Sequence, residues 1–437
     1  MRRLPSNSSQ MSPATWIQNV AISYIVLWST SPILAFGTTW RILAVLAVIV
    51  FAFTQIFRSE SSATNINSLV ILLILFYTLY TGIFSFIASG PAGAVGNIQI
   101  YIMLFFACVF ETRRKDLLSL APVVWITLLT VPIWQLLTLH EVTFVDPHAA
   151  RVVVRSGEEA YDLTQAGIGG YGLVYASVLM IPPIMALAFL HPRGPWLPSW
   201  LRVRPLLAKS AIFISLAVSA IMIVMSGYSI AVITLTISIF SFVLLRHPSP
   251  IRFVLLVAII AFTVLAWREI VVSIFEIVRP FAQGTNYQIK IDDLMRSIDF
   301  ADATGSFGDR EDRYRRSLEL FLENPILGTI SIRDVGKHSS ILDNFAQWGA
   351  FVGFLFVYLI IRPIRAAFSN GAPFGLVAAT ALSVAAVFGL DNGFASAGVA
   401  LYILFPVAAA LTRERISMNA IQERFGLSPS LDRGDAR

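Results

Sequence analysis

Charged residues are scarce in this chain of 437 residues. Only 13% of the residues are Asp, Glu, Lys or Arg, whereas a soluble globular protein carries roughly 25%. Hydrophobic residues make up 56% of the chain, and long apolar runs recur along most of it. A helix that crosses a bilayer core ~30 Å thick needs such a run. The composition excludes a water-soluble domain and predicts an all-α polytopic integral membrane protein.

Cysteine is almost absent as well. The single Cys108 excludes an intramolecular disulfide and a Cys-rich metal site. The N-terminal stretch "MRRLPSNSSQMSPATW" lacks the pattern of a cleavable signal peptide, so we interpret it as a polar tail before the first span. No acidic metal triad or DxD-type motif stands in the predicted outer loops, and Asp292-Asp293 is an isolated pair. We therefore expect neither a metal nor a cofactor.

The apolar runs predict about twelve transmembrane helices. Their expected ranges are 17–35, 41–57, 68–88, 95–110, 117–139, 168–190, 209–226, 229–245, 252–267, 341–361, 373–390 and 396–412.

Three segments follow from these spans. Residues 1–267 form an N-terminal membrane bundle of about nine spans with an outer loop at 140–167. Residues 268–340 form one long periplasmic loop with amphipathic helices, and residues 341–437 form three spans and a cytoplasmic tail.

The distribution of basic residues predicts the orientation. With the N-terminus in the cytoplasm, 19 of the 32 Lys and Arg residues lie on the cytoplasmic side. The short outer loops hold only Arg41, Arg151 and Arg155. Cytoplasmic loops are enriched in Lys and Arg, so both termini are expected inside. The long segment holds ten basic and twelve acidic residues, which does not indicate a nucleic-acid-binding surface.

The stretch "DREDRYRRSLELFLENPILG", residues 309–328, concentrates charge. Asp309 can cap a helix that Asn324-Pro325 ends. At 100° per residue, one face carries Arg310, Arg313, Tyr314, Ser317, Leu318 and Phe321, and the opposite face carries Asp312, Arg315, Arg316, Glu319 and Glu323.

The two faces predict different roles for the arginines. Arg315 and Arg316 can pair with Glu319 at i,i+4 and i,i+3, which is typical of a solvated helix surface. Arg310 and Arg313 lie beside the apolar face, where a charge is costly without a partner. We expect these two to contact substrate, with structural ion pairs as the alternative.

His338 opens the next predicted span on its outer side and is followed by Ser339, Ser340 and Asp343. A lone His is more often a hydrogen-bonded structural residue than a catalyst. Its place at the membrane surface, close in sequence to the arginines, makes a functional role equally plausible.

These residues resemble the C-terminal motif of bacterial O-antigen polymerases and O-antigen ligases. Arg310, Tyr314, "ELFLENPILG" and "KHSSILDNFAQWGAFVG" match its order and approximate spacing over about 305–356. Elsewhere the similarity is limited to the general arrangement, with "GIGGYGLVYA" (167–176) and "MSGYSIAV" (225–232).

One position departs from the family pattern. Many relatives carry an Arg in the motif that opens the span, whereas Ser229 stands near that position here. Another residue must then bind the donor, or the activity differs. Arg41, Arg151 and Arg155 are the candidates, and the sequence does not rank them.

The resemblance implies glycosyl transfer at the outer face of the bacterial inner membrane. The donor would be an oligosaccharide on undecaprenyl diphosphate within the lipid bilayer, and a chain-length regulator protein is a further expected partner. Guanidinium groups suit a diphosphate leaving group. Arg310 and His338 are the expected catalytic residues, with Asp343 or Glu311 as alternatives to His338. Tyr314, Arg313 and Asp343 are expected to bind substrate.

Three functions stay open. A polymerase would extend the chain on its carrier, and we favour it weakly because the usual span-opening Arg is missing. A ligase would transfer the finished chain to lipid A core or another acceptor. A flippase or transporter would place charges within its spans, whereas this chain keeps nearly all of them outside.

Overall fold

The computed structural model of the chain describes residues 12–56, 68–146, 148–153, 157–190, 204–246, 249–265, 306–330, 335–391 and 395–413, with isolated positions between 269 and 295. Arg155 lies outside the described residues, as does the side chain of Arg310.

The described part of the chain is helical and contains no strand. Its helices are α1 (Pro13–Thr30), α2 (Pro32–Phe36), α3 (Thr38–Ile56), α4 (Ser68–Gly96), α5 (Ile98–Arg113), α6 (Ala121–Phe144), α7 (Ala149–Val152), α8 (Glu158–Gln165), α9 (Tyr171–Leu190), α10 (Pro205–Met225), α11 (Ser229–Leu244), α12 (Pro250–Leu265), α13 (Ser306–Glu323), α14 (Ser340–Ser369), α15 (Phe374–Leu390) and α16 (Ala395–Gly398). A π-helical turn, Val399–Leu404, continues α16 towards Arg413.

Seven helices of the described chain are long and apolar enough to cross a membrane. They span Thr38–Gln55, Ser68–Pro91, Leu117–Phe144, Tyr171–Leu190, Pro205–Met225, Ser340–Ser369 and Ala395–Arg413. Three shorter apolar helices span Ile230–Leu244, Pro250–Phe262 and Phe374–Leu390. An all-helical membrane protein is therefore confirmed, whereas the count of twelve spans, the three-segment division and the periplasmic loop stay predictions.

The centre of the bundle is formed by α9 and the last helix. The span Tyr171–Leu190 is 89% buried and Ala395–Arg413 is 94% buried, whereas Thr38–Gln55 is only 11% buried. Lipid is as apolar as a leucine side chain, so a helix at the rim can expose its apolar residues there. We infer that α3 faces the bilayer, and that α9 and the last helix, Ala395–Arg413, form the core against which the other helices pack.

The bundle has two ends, which we name by their contacts. At the site end, the backbone N–H of Ser340 donates to the carbonyl of Asp391 at 3.0 Å, so α14 begins where α15 ends. At the basic end, Arg362 of α14 pairs with Glu111 of α5 at 2.8 Å. Helix α14 runs from one end to the other.

Candidate functional site

Helix α13, the charged stretch, lies against the start of α14. Ser317 is 1% exposed, and the ring of Phe321 packs edge-on against Phe345 at 5.3 Å. The hydroxyl of Tyr314 donates to the carbonyl of Leu390 at 2.6 Å. Three residues of the predicted inward face therefore do point inward, and they attach α13 to both α14 and the end of α15.

Leu318 differs from the prediction, because it is 46% exposed and lies beside Leu322, which is 66% exposed. Residues at i and i+4 share a face of a helix, so the two leucines form an exposed apolar stripe. This stripe continues into Ile326 and Leu327, which are also exposed. An exposed apolar stripe of this kind is typical of an amphipathic helix that lies in a membrane interface.

The motif residues after α13 insert into a break in α14. The break is at Gly349, whose φ of 75° and ψ of 179° interrupt the helix. The carbonyl of Pro325 accepts a hydrogen bond from the N–H of Ala350 at 2.7 Å. The N–H groups of Thr329 and Ile330 donate to the carbonyls of Ala346 and Gln347, both at 2.9 Å. The break exposes backbone groups that the inserted segment satisfies, as a low-dielectric environment requires.

Two glycines allow the backbone of the inserted segment to approach the backbone of α14 closely. A Cβ at Gly349 would overlap the carbonyl oxygen of Ile326, and a Cβ at Gly328 would lie 2.5 Å from the nitrogen of Trp348. Both have positive φ, which glycine adopts without strain. The sequence "NPILG" at 324–328, which has the pattern "NP-x-x-G", therefore has a structural role, since it docks the end of α13 into α14.

The loop that carries His338 crosses directly over α13. A Cβ at Gly336 would lie 2.7 Å from the carbonyl carbon of Arg313 and 3.0 Å from the hydroxyl oxygen of Ser317. The N–H of Gly336 donates to that hydroxyl at 2.9 Å, and the hydroxyl donates to Oδ1 of Asp343 at 2.7 Å. Ser317 therefore joins the loop, α13 and α14 through one oxygen atom.

Asp343 organises the same loop from the other side. Its carboxylate accepts hydrogen bonds from the backbone of Lys337, His338 and Ser339 as well as from Ser317. Ser339 also caps α14, because its hydroxyl accepts from the N–H of Leu342 at 3.1 Å. These contacts give Asp343 a positioning role, and its predicted contact with substrate stays a prediction.

Lys337 is one of two non-glycine residues with positive φ among the described residues, at 61°. Such a conformation costs about 1–3 kcal/mol and occurs often at functional sites. The next residue, His338, is half-buried, so its ring has access to the surface. The strained backbone and the carboxylate together determine where the imidazole stands.

The other charged residues of α13 lie in different environments. Arg315 pairs with Glu319 at 2.7 Å on an exposed surface, as predicted. Arg316 forms no such pair with Glu319 in the described chain. Arg313 is exposed, although its backbone lies beneath Gly336.

Besides the His338 loop, a second group of polar and aromatic residues surrounds the junction of α10 and α11. We call it the Arg151 cluster. The guanidinium of Arg151, in the outer loop, donates to the carbonyl of Gly227 at 2.8 Å. It also lies 6.0 Å from the ring centroid of Tyr228, whose hydroxyl donates to the carbonyl of Ala150 at 2.8 Å. The structure therefore brings Arg151 to the start of α11 at Ser229.

Three tyrosines stand beside this arginine. The ring of Tyr171 lies 4.5 Å from that of Tyr228 and 6.0 Å from that of Tyr175. Tyr171 is half-buried and the other two are buried. Aromatic faces of this kind offer an apolar surface beside a polar tip, which suits the hydrophobic face of a sugar ring.

Arg41 is engaged elsewhere. Its Nε donates to the carbonyl of Ala35 at 3.2 Å, which closes the turn between α2 and α3. Nothing in the described chain joins it to either cluster, so it ranks below Arg151 as the substitute for the missing arginine.

The two clusters belong to one end of the bundle. The hydroxyl of Ser396 donates to the carbonyl of Gly172 at 2.9 Å, next to Tyr171. Ser396 lies five positions after Asp391, which contacts Ser340, and an extended chain of that length spans at most about 18 Å. The His338 loop and the Arg151 cluster therefore lie at the same end of the bundle.

Residues 214–348 match the family model for O-antigen ligase. This segment is therefore similar to the O-antigen ligase domain. The match confirms the resemblance to the O-antigen ligase and polymerase family, and it covers about a third of the chain. No curated protein matches the sequence.

The matched segment contains part of each of the two clusters described above. Gly227, α13, His338 and Asp343 lie inside it, whereas Arg151 and Tyr171 lie outside. The outer loop therefore adds a cation and an aromatic ring to this segment from a distant part of the sequence. No group of three His, Cys, Asp or Glu side chains among the described residues could hold a metal ion.

Sequence reasoning missed Ser317 as a connector and Tyr228 as a partner of Arg151. Ser317 was placed on the correct face, but a serine in a helix gives no signal of what it contacts. Tyr228 is visible in "MSGYSIAV", whose glycine and tyrosine precede a helix start. The contact between Arg151 and Tyr228 joins residues 77 positions apart, so only the tertiary fold could show it.

Proposed function

We propose that this protein polymerises undecaprenyl-diphosphate-linked oligosaccharide repeat units into O-antigen or exopolysaccharide by metal-independent glycosyl transfer. The reaction would take place at the outer face of the inner membrane, with both termini in the cytoplasm. One observation carries the proposal: the His338 loop, in the segment that matches the O-antigen ligase model, is held over α13 by Ser317 and Asp343.

In the proposed reaction, an acceptor sugar hydroxyl attacks the anomeric carbon of the donor oligosaccharide. A new C1–O bond forms, and the bond from C1 to the diphosphate breaks. His338 takes the proton of the attacking hydroxyl as general base, and undecaprenyl diphosphate leaves with the bonding electrons. Asp343 acts through the loop backbone as a positioning residue.

Negative charge grows on the diphosphate as it leaves, so fixed positive charge stabilises the transition state. Arg310 and Arg313 are the proposed source on α13. Arg151 is the proposed third cation, in place of the family arginine near Ser229, because its guanidinium already lies at the start of α11. Tyr171 and Tyr314 are proposed to line the path of the sugar, and Arg41 and Arg155 stay weaker candidates.

The first experiment tests His338. Membranes that carry the His338→Ala variant are incubated with lipid-linked repeat units, and the products are separated by length. We expect a loss of product of about 100-fold or more, because general acid–base catalysis contributes at least that much. The control is Arg315→Ala, whose exposed ion pair should leave activity near wild type. Normal product from His338→Ala would remove the imidazole from the mechanism.

The ligase is the second candidate, because the matching family model is described as O-antigen ligase. The lipid-linked sugars of cells that lack the protein distinguish the two activities. Single repeat units on the carrier indicate a missing polymerase, and long chains on the carrier indicate a missing ligase. The transport alternative gains no support from the family match.

A further inference from the structure

A cavity of about 600 Å³ opens at the basic end of the bundle. Its walls come from the end of α5, the turn at 115–118, the last part of α14 and the end of the final helix. From the break at Gly349 to Pro363, α14 rises about 21 Å at 1.5 Å per residue, which is most of the ~30 Å thickness of a bilayer core, and Asp343 lies on the far side of the break. The cavity therefore lies across the membrane from the proposed catalytic site.

The lining of this cavity has two chemical parts. Its rim carries Arg114, Lys115 and Arg413 with a single acid, Asp116. Its floor is apolar and is formed by Phe110, Leu117, Leu118, Pro363, Ala366, Ala367, Pro406 and Ala409. A ligand that fits both parts carries an anionic group and a hydrocarbon portion.

Buried polar contacts hold the walls in place. Glu111 and Arg362 join α5 to α14 at 2.8 Å, with side chains 1% and 14% exposed. Arg113 is fully buried and donates to Gln18 at 2.5 Å and to Ser119 at 3.2 Å. None of these residues lines the cavity, and their contacts fix the end of α5 beside Arg114.

The rim arginines are available for an anion. Arg114 is half-buried and Arg413 is exposed, and neither forms an ion pair within the described residues. Guanidinium groups bind phosphate oxygens bidentately. Basic pockets between transmembrane helices on the cytoplasmic side recognise anionic lipid headgroups. The predicted orientation places this end of the bundle in the cytoplasmic leaflet.

We propose that this cavity binds one anionic glycerophospholipid of the cytoplasmic leaflet. Arg114 and Arg413 hold its phosphate, and the apolar floor receives the first part of its acyl chains. The lipid joins α5, α14 and the last helix, and it stabilises their packing because it binds the folded state. The site is separate from glycosyl transfer and does not depend on the proposed function.

The test uses the full chain purified in detergent. Native mass spectrometry measures binding of phosphatidylglycerol, phosphatidylcholine and inorganic phosphate to wild type and to the double variant Arg114→Gln/Arg413→Gln. We expect wild type to retain phosphatidylglycerol at least tenfold more tightly than phosphatidylcholine. The double variant should lose about tenfold per arginine, in line with charge-assisted hydrogen bonds.

The matched control is Arg246→Gln/Arg252→Gln, which removes the same charge at the same end. Arg246 lies beside the start of α15, and neither residue lines the cavity. The control should bind phosphatidylglycerol like wild type. Equal binding by the two double variants would overturn the proposal. So would equal retention of phosphatidylcholine, or inorganic phosphate that displaces the lipid, since the site would then not recognise an anionic lipid.

Discussion

The crossing of the "NP-x-x-G" segment and α14 offers the sharpest test of how this site is built. Gly349→Ala places a methyl group where the carbonyl of Ile326 stands, and it would lie 2.8 Å from the nitrogen of Leu327. Both atoms belong to backbone, so no side chain can rotate away. The inserted segment has to move.

The free-energy cost of Gly349→Ala has two parts. The combination of φ 75° and ψ 179° at Gly349 is a conformation that essentially only glycine adopts, and it costs an alanine about 1–3 kcal/mol. Moving the segment also weakens three backbone hydrogen bonds, from Ala350, Thr329 and Ile330, each worth about 0.5–1.5 kcal/mol. The total is about 3–7 kcal/mol, which is a large share of the stability of a folded domain.

Gly371→Ala is the matched control. Gly371 has the same φ of 75°, but nothing lies within 4 Å of its Cβ position. This variant carries only the conformational cost of about 1–2 kcal/mol. Thermal inactivation of the two purified variants in detergent measures the difference, and glycosyl transfer in membranes shows whether α13 still docks.

We expect Gly349→Ala to inactivate at a clearly lower temperature than Gly371→Ala and to lose transfer activity. Equal midpoints for the two variants would refute the reasoning. They would show that the crossing contributes nothing beyond the left-handed backbone conformation.

Three further predictions concern other parts of the molecule. Ser317→Ala should lower transfer activity while the protein remains assembled, since Asp343 loses a 2.7 Å hydrogen bond; a kcat equal to wild type would contradict this. Glu111→Gln should destabilise the chain by about 3 kcal/mol, because it leaves Arg362 without its buried partner, and unchanged heat stability would show that the pair is dispensable. Arg151→Gln should raise the KM for the lipid-linked donor with little change in heat stability, and an unchanged KM would exclude a donor contact.

The local features of the site were predictable from the sequence. The residue spacing in "DREDRYRRSLELFLENPILG" predicts a helix, its end at Asn324-Pro325 and the inward face with Tyr314, Ser317 and Phe321. The structure places these residues accordingly, with α13 ending at Glu323. The pair of Arg315 and Glu319 was predictable for the same reason, since helical geometry alone brings i and i+4 together.

The environment of Leu318 was not predictable from helical periodicity. A helical wheel assigns it to the apolar face, but it cannot tell a protein neighbour from lipid. The exposed stripe of Leu318, Leu322 and Ile326 became visible only once the position of α14 was known.

Composition and hydropathy by themselves determined that this chain is an all-helical membrane protein, because a bilayer admits few other solutions for so apolar a sequence. The local motif was sufficient for the resemblance to the O-antigen ligase family, since its residues stand close together along the chain. Only the tertiary structure decided that Arg151 meets Tyr228 across 77 residues of sequence, that Asp343 holds the His338 loop, and that Gly349 receives the end of α13. These contacts depend on how separate helices pack, and neither residue periodicity nor composition encodes the partner of a side chain on another helix.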